Sequence, residues 1–170
     1  MIHGTHNAEA DDRNENVWIS INDEFFQRSE AKISVFDSGY LVGDGVWEGI
    51  RLHHGTLVFV TDHLKRLWTA AKATGIKLPF TKDELIASIK STLSKNQMHD
   101  GVHVRIMVTR GIKKTPSQDP RLTISGPNVV IIAEYKKASN ETKSKGITLF
   151  TSSFRRGSPD YLDPKLNCHS

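Results

Sequence analysis

Hydrophobic and polar positions change period several times along the chain. Val17-Trp18-Ile19-Ser20-Ile21 alternates and predicts a strand; Asn22-Asp23 is a turn signal, and a second short strand is expected near Phe25. Ala31 to Phe36 is another candidate strand or strand lead-in. The stretch Asp37-Ser38-Gly39-Tyr40-Leu41-Val42-Gly43-Asp44-Gly45 is dense in glycine, so its backbone turns sharply or is approached closely. Val46 to His53 predicts a strand, His54-Gly55 a hairpin turn, and Thr56 to Val60 the return strand.

Helical spacing then takes over. Leu64, Leu67, Trp68 and Ala71 recur on one face after a cap at Thr61-Asp62, and Gly75 ends the segment. A second helix starts at Thr81 with Glu84 three residues on, a capping-box pattern, and carries Leu85, Ile86, Ile89 and Leu93 on its apolar face. Val102 to Thr109 alternates as a strand. A polar loop from Ile112 to Pro127 leads to Asn128–Tyr135, a nearly continuous apolar run expected to be a central strand buried on both faces. Lys136 to Lys145 is charged without apolar period, and Ile147 to Phe154 is expected to begin a new strand.

These elements predict an α+β chain: a tail at 1–15, a small N-terminal domain of antiparallel strands with two helices at 16–135, a linker at 136–146, and the start of a second domain at 147–170. With 37% apolar and 25% charged residues the chain has a globular composition. A formal net charge of +4, spread along the chain, does not point to nucleic acid and modestly favours anionic ligands. The single cysteine, Cys168, rules out an internal disulfide and fits a reducing compartment. No run approaches the roughly 20 apolar residues of a membrane span. A cytoplasmic protein without metal, membrane or nucleic-acid partners is expected.

Four segments carry candidate chemistry, each with an ordinary alternative. Gly43-Asp44-Gly45-Val46-Trp47-Glu48-Gly49-Ile50-Arg51 is a tight turn into a strand that ends on an Arg, a surface cation or an anion contact. Asp62-His63-Leu64-Lys65-Arg66-Leu67 is a helix start whose Arg66 is either a wet-face charge or a phosphate ligand, a role that suits the planar guanidinium fork. In His103-Val104-Arg105-Ile106-Met107-Val108-Thr109-Arg110-Gly111, His103 and Arg105 share a face opposite Val104, Ile106 and Val108. An Arg in an apolar strand needs an anion, supplied by a substrate carboxylate or by a structural salt bridge, and Arg110 stands where the strand meets a loop. The last segment runs from Ser152 to Asn167 and includes Asp163-Pro164-Lys165; Lys165 is a solvated lysine or a reactive amine.

In order and at this spacing, the segments resemble the fold-type IV pyridoxal-phosphate enzymes: branched-chain aminotransferases, D-amino-acid aminotransferases and aminodeoxychorismate lyases. The likeness runs from about Ile33 to Asn167. The Glu-Gly-Ile-Arg run looks more like the branched-chain members, the Val-Thr-Arg-Gly run more like the D-amino-acid members. The resemblance implies pyridoxal 5'-phosphate as cofactor, with Arg66 on its phosphate. It places Trp47, Arg51, His103 and Arg105 at the substrate pocket and Arg110 where D-amino-acid enzymes capture the carboxylate. The family's Schiff-base lysine position falls on Asn167, whose amide cannot form an imine; Lys165, two residues away, is the candidate after a shift of register.

The family's chains continue beyond the equivalent of Ser170. The resemblance therefore implies that 147–170 is the truncated start of a cofactor-binding domain and that the chain as given is an incomplete, inactive portion. For the complete enzyme it implies a homodimer that transfers an amino group between a branched-chain or similar amino acid and a 2-oxo acid. The alternatives are an aminodeoxychorismate lyase-like reaction on the same scaffold, or a catalytically silent remnant that serves as a binding module.

Overall fold

The structure is a computed structural model that describes residues 11–136, 140–155, 157–158, 160, 163 and 165–169. Residues 1–10, part of the expected linker (137–139) and Pro164 lie outside that set. The described chain is α+β, with a six-stranded antiparallel sheet and four α-helices. The strands are β1 (Trp18–Ile21), β2 (Glu24–Gln27), β3 (Gly45–His53), β4 (Thr56–Leu57), β5 (Val102–Thr109) and β6 (Asn128–Tyr135), in the order β2-β1-β6-β5-β3-β4. The helices are α1 (Ser38–Val42), α2 (Val60–Ala73), α3 (Lys82–Lys95) and α4 (Asn140–Lys145).

Alternation along β3 and β5 decides which face is covered. Val46, Ile50 and Leu52 of β3 and Val102, Val104, Ile106 and Val108 of β5 are buried under the helices. The residues between them, Trp47, Gly49, Arg51, His103, Arg105 and Met107, lie half-buried on the other face. α2 packs on β3, and α3 packs on β1 and β6. Leu64 and Leu67 of α2 and Ile89 of α3 are fully buried, as their helical spacing requires. Trp68 closes one end of this core, edge-on to Phe80 with ring centroids 5.8 Å apart.

Several expected elements differ. α2 enters two residues early from Phe59, whose φ of 51° lies in the left-handed region, and no side chain caps the helix there; Thr61 and Asp62 sit inside its first turn. β4 is only two residues long, because the chain turns into α2 at once. The glycine-dense stretch is not just a turn: it holds α1, capped by the Asp37 carboxylate on Gly39 N–H and ended by Gly43 at φ 69°. Ala31–Phe36 forms no strand. β6 is central but not buried on both faces: only its Ile131 and Ala133 are buried, since no helix among the described residues covers its other side.

Residues 11–17, the described part of the segment before β1, make contacts with the sheet. Asp12–Asn14 forms a 3-10 turn, and the Asn14 amide donates to Tyr135 O and accepts from Tyr135 N–H at 2.9 and 2.8 Å. Ile147–Phe154 is not a strand among the described residues, and its apolar side chains Leu149, Phe150 and Phe154 are exposed.

The capping box of α3 is formed as expected: Thr81 Oγ1 accepts from Glu84 N–H while Glu84 accepts from Thr81 N–H. Thr81→Ala is expected to cost about 1 kcal/mol, read as a lower urea midpoint with unchanged slope; an unchanged midpoint would mean the box carries no stability.

Candidate functional site

Glu48 points to the helix-covered face of β3 and its side chain has no solvent exposure. An isolated buried carboxylate is prohibitively costly, so the fold has to bring it cations. It does so with the first two turns of α2. Arg66 Nε and Nη2 donate to the two carboxylate oxygens at 2.5 and 2.7 Å, and His63 Nδ1 lies 2.8 Å from Oε2. Burial alone would push the Glu48 carboxyl up; the hydrogen bonds from Arg66 and His63 outweigh it and hold the group below the usual carboxylate range. The bond to Glu48 raises Arg66 in turn. The Arg66 side chain is 47% exposed, and Glu48 takes Nε and Nη2, which leaves Nη1 for another acceptor.

The end of the described chain joins this cluster through the backbone. Asn167–His169 runs antiparallel along the edge of β3: Trp47 N–H donates to Asn167 O at 2.9 Å and His169 N–H to Gly45 O at 3.0 Å. The Asn167 amide thereby reaches Glu48 Oε1 at 3.5 Å. An open groove of about 460 Å³ lies over the junction, lined by Asp62, Lys65, Arg66, Thr69, Lys165 and Asn167, among others. Lys165 is exposed in it. Of the residues singled out in the sequence, Arg66, Lys165 and Asn167 are thus brought together.

Trp47, Arg51, His103 and Arg105 come together as well, but on the opposite face of β3. The register pairs Arg51 with His103 and Gly49 with Arg105. The Arg105 guanidinium stacks 4.0 Å from the Trp47 ring centroid, and no carboxylate among the described residues pairs with it. Gly49 is not a turn residue here but a mid-strand gap: a Cβ on it would stand 2.7 Å from His103 Nε2. Burial first, then the charges of Arg105, Lys136 and Arg51, push the His103 imidazole down to about 4, so it is neutral at pH 7. Arg51 donates through Nη1 to Lys136 O.

Arg110 joins neither group. Its Nε and Nη2 grip Asp44 at 2.6 and 3.0 Å, and Nη2 and Nη1 donate to Thr74 O and Gly75 O. It closes the C-terminal end of α2, where a cation suits the helix dipole. An incoming carboxylate would have to displace Asp44.

Glu48 and His63 were not among the residues singled out in the sequence. The signal was available: at period two Glu48 shares a face with Val46 and Ile50, so a carboxylate had to be buried and paired. His169 was missed too; its ring fits against Gly45 and its Nε2 is buried without a partner among the described residues.

Arg66→Ala strands the Glu48 charge in the core, whereas Glu48→Gln leaves Arg66 free to reach water. The first is expected to cost about 3–5 kcal/mol and the second about 1–3, measured by urea unfolding; the reverse order would refute the pairing. His103 binds a proton in the unfolded chain near pH 6.5 but in the folded chain only near 4. Its contribution to stability is therefore full above pH 6.5 and falls as the pH drops toward 4. His103→Gln should flatten the pH dependence of the melting temperature in that window, and an unchanged slope would count against a neutral buried imidazole.

Residues 45–167 match the family model for amino-transferase class IV. The chain is 37% identical over 151 residues to branched-chain-amino-acid aminotransferase-like protein 1 of Arabidopsis thaliana, covering 89% of this chain and 27% of the relative. It is 37% identical over 110 residues to D-alanine aminotransferase of Staphylococcus aureus (strain MSSA476), covering 61% and 39%. A crystal structure of the branched-chain amino acid aminotransferase of T.th., complexed with N-(5'-phosphopyridoxyl)-L-glutamate, superposes with a TM-score of 0.78 at 25% identity, covering 91% of this chain and 50% of that one. The chain thus spans about a quarter to a half of the length of these proteins. It belongs to the class IV amino-transferase family.

Proposed function

We propose that the complete protein is a pyridoxal-phosphate-dependent aminotransferase that moves an amino group between a branched-chain or similar amino acid and a 2-oxo acid. The observation that carries this reading is Arg66: a half-exposed guanidinium, oriented by a buried carboxylate, at a groove that also holds Lys65 and Lys165. That donor set fits a phosphate monoester, with Arg66 Nη1 as the directed contact. When bound, pyridoxal phosphate supplies the electron sink for chemistry at the substrate α-carbon. Lys165 offers the primary amine to hold the cofactor; Asn167, with its backbone carbonyl tied to Trp47 and its amide near Glu48, shapes the floor beside it.

The substrate grip lies on the other face of β3. Arg105, stacked on Trp47 and without a carboxylate partner among the described residues, is the cation for the substrate carboxylate. Neutral His103 adds a hydrogen-bonding group without a competing charge, and Arg51 sits beside it in the register. Arg110 is already held by Asp44. This favours the branched-chain type over the D-amino-acid type, despite the D-alanine aminotransferase among the relatives.

The remaining assignments belong to the same proposal. The linker at 136–146 divides the sheet domain from the start of a second domain, and the enzyme works as a homodimer in the cytoplasm. The exposed Val35, Phe36, Tyr40 and Ile124 offer an apolar surface for a second copy. No helix among the described residues is long and apolar enough to cross a membrane.

The test is a coupled assay on the complete protein with L-leucine and 2-oxoglutarate, alongside pyridoxal phosphate titration of the wild type and Arg66→Ala. Formation of the leucine-derived 2-oxo acid is expected, with cofactor affinity at least about tenfold weaker in the variant, since a charge-assisted hydrogen bond contributes roughly 1.5–3 kcal/mol. Cofactor binding without transfer from any L- or D-amino acid would point to the lyase alternative. An unchanged affinity would leave Arg66 as the structural partner of Glu48 alone.

A further inference from the structure

The far end of β3 carries a second cluster that the proposed chemistry does not use. His53 closes the strand and His54 begins the turn to β4. Adjacent strand residues normally point to opposite faces. Here His54 has φ 46°, in the left-handed region, followed by Gly55 at φ 74°. That turn swings the second imidazole alongside the first, with ring centroids 4.1 Å apart. Both rings face Asp100 in the loop between α3 and β5: His53 Nδ1 lies 3.4 Å from Oδ1 and His54 Nδ1 3.8 Å from Oδ2.

The carboxylate does not float. His54 N–H donates to Asp100 Oδ1 at 2.7 Å, and Gly55 N–H donates to His99 O at 2.9 Å, so two backbone links hold the hairpin tip against the loop. The three candidate ligand atoms, one from each side chain, lie within 4.8 Å of one another. A tetrahedral zinc with bonds of about 2.0–2.2 Å sets its ligands about 3.3 Å apart. Side chains exposed by 62%, 79% and 49% can close that gap by small rotations.

We propose that His53, His54 and Asp100 form a binding site for one divalent first-row transition ion, with zinc as the natural occupant of two imidazoles and a carboxylate. Two nitrogen ligands and one oxygen ligand leave a fourth position to water, and imidazole excludes the oxygen-seeking magnesium. The ion would join the β3–β4 hairpin to the α3–β5 loop. Its role is that of a staple at the end of β3 remote from Glu48, and it does not depend on the aminotransferase reading.

The test is calorimetric titration of the tag-free complete protein with zinc chloride, with thermal melts in the same buffer. One equivalent of zinc should bind, magnesium in excess should not displace it, and the melting temperature should rise with zinc. His53→Ala, His54→Ala and Asp100→Asn should each weaken binding at least tenfold and abolish the thermal shift. His53→Ala retains the turn and Asp100→Asn retains an acceptor for His54 N–H, so both variants are expected to fold. An absence of zinc binding by the wild type, displacement by magnesium, or undiminished binding in all three variants would overturn the site.

Discussion

A carboxylate with no access to water governs the arrangement of this domain. Glu48 cannot be hydrated on the covered face of β3, and its charge is tolerated only because α2 delivers Arg66 and His63 onto it. That pairing acts together with the buried Leu64, Leu67, Ala70 and Ala71 of α2 in holding the helix on the sheet. It also fixes Arg66 in one pose, with two donors committed inward and a third left for the groove. A lone surface Arg would sample many rotamers; here the freedom has been removed before any anion arrives. The same carboxylate draws in the Asn167 amide, so the strand, the helix and the end of the described chain meet at one ion.

β3 acts as a partition. Its even positions, Val46, Glu48, Ile50 and Leu52, face the helices, while Trp47, Gly49 and Arg51 face the uncovered side. The proposed phosphate-binding and carboxylate-binding groups are therefore held apart by the thickness of a single strand. On the uncovered side, the missing side chain of Gly49 gives His103 its place, and burial, aided by the cations around it, keeps His103 neutral. Arg105 and Arg51 thus stand beside an imidazole that adds no charge of its own.

Much of this was legible in the sequence. The alternation of Val102–Thr109 located His103 and Arg105 on a common face, the Thr81–Glu84 pair marked a helix start, and the order of motifs identified the family. Local pattern failed where non-local contacts decide. Phe59 starts α2 without a capping side chain, directly after the two-residue β4. Arg110 looked like a ligand cation until the fold brought Asp44 and the end of α2 to it. Glu48 broke the apolar face of its strand in plain view, but which cations would meet it depended on the contact between β3 and α2. His53 and His54 look like a strand end and a turn, and only the left-handed backbone at His54 puts their rings together.

The pairing of Val46 with Cys168 spans most of the chain, and synthesis is vectorial. When β3, β5 and β6 have left the ribosome, the sheet can already assemble, but the amide of Trp47 and the carbonyl of Gly45 still lack their partners. That edge stays open until the chain has been made as far as His169. The groove over Arg66 therefore acquires its lysine and its floor in the same event that seals the edge. Until residues 165–169 are in place the candidate groove has neither Lys165 nor Asn167, and the same short segment supplies both.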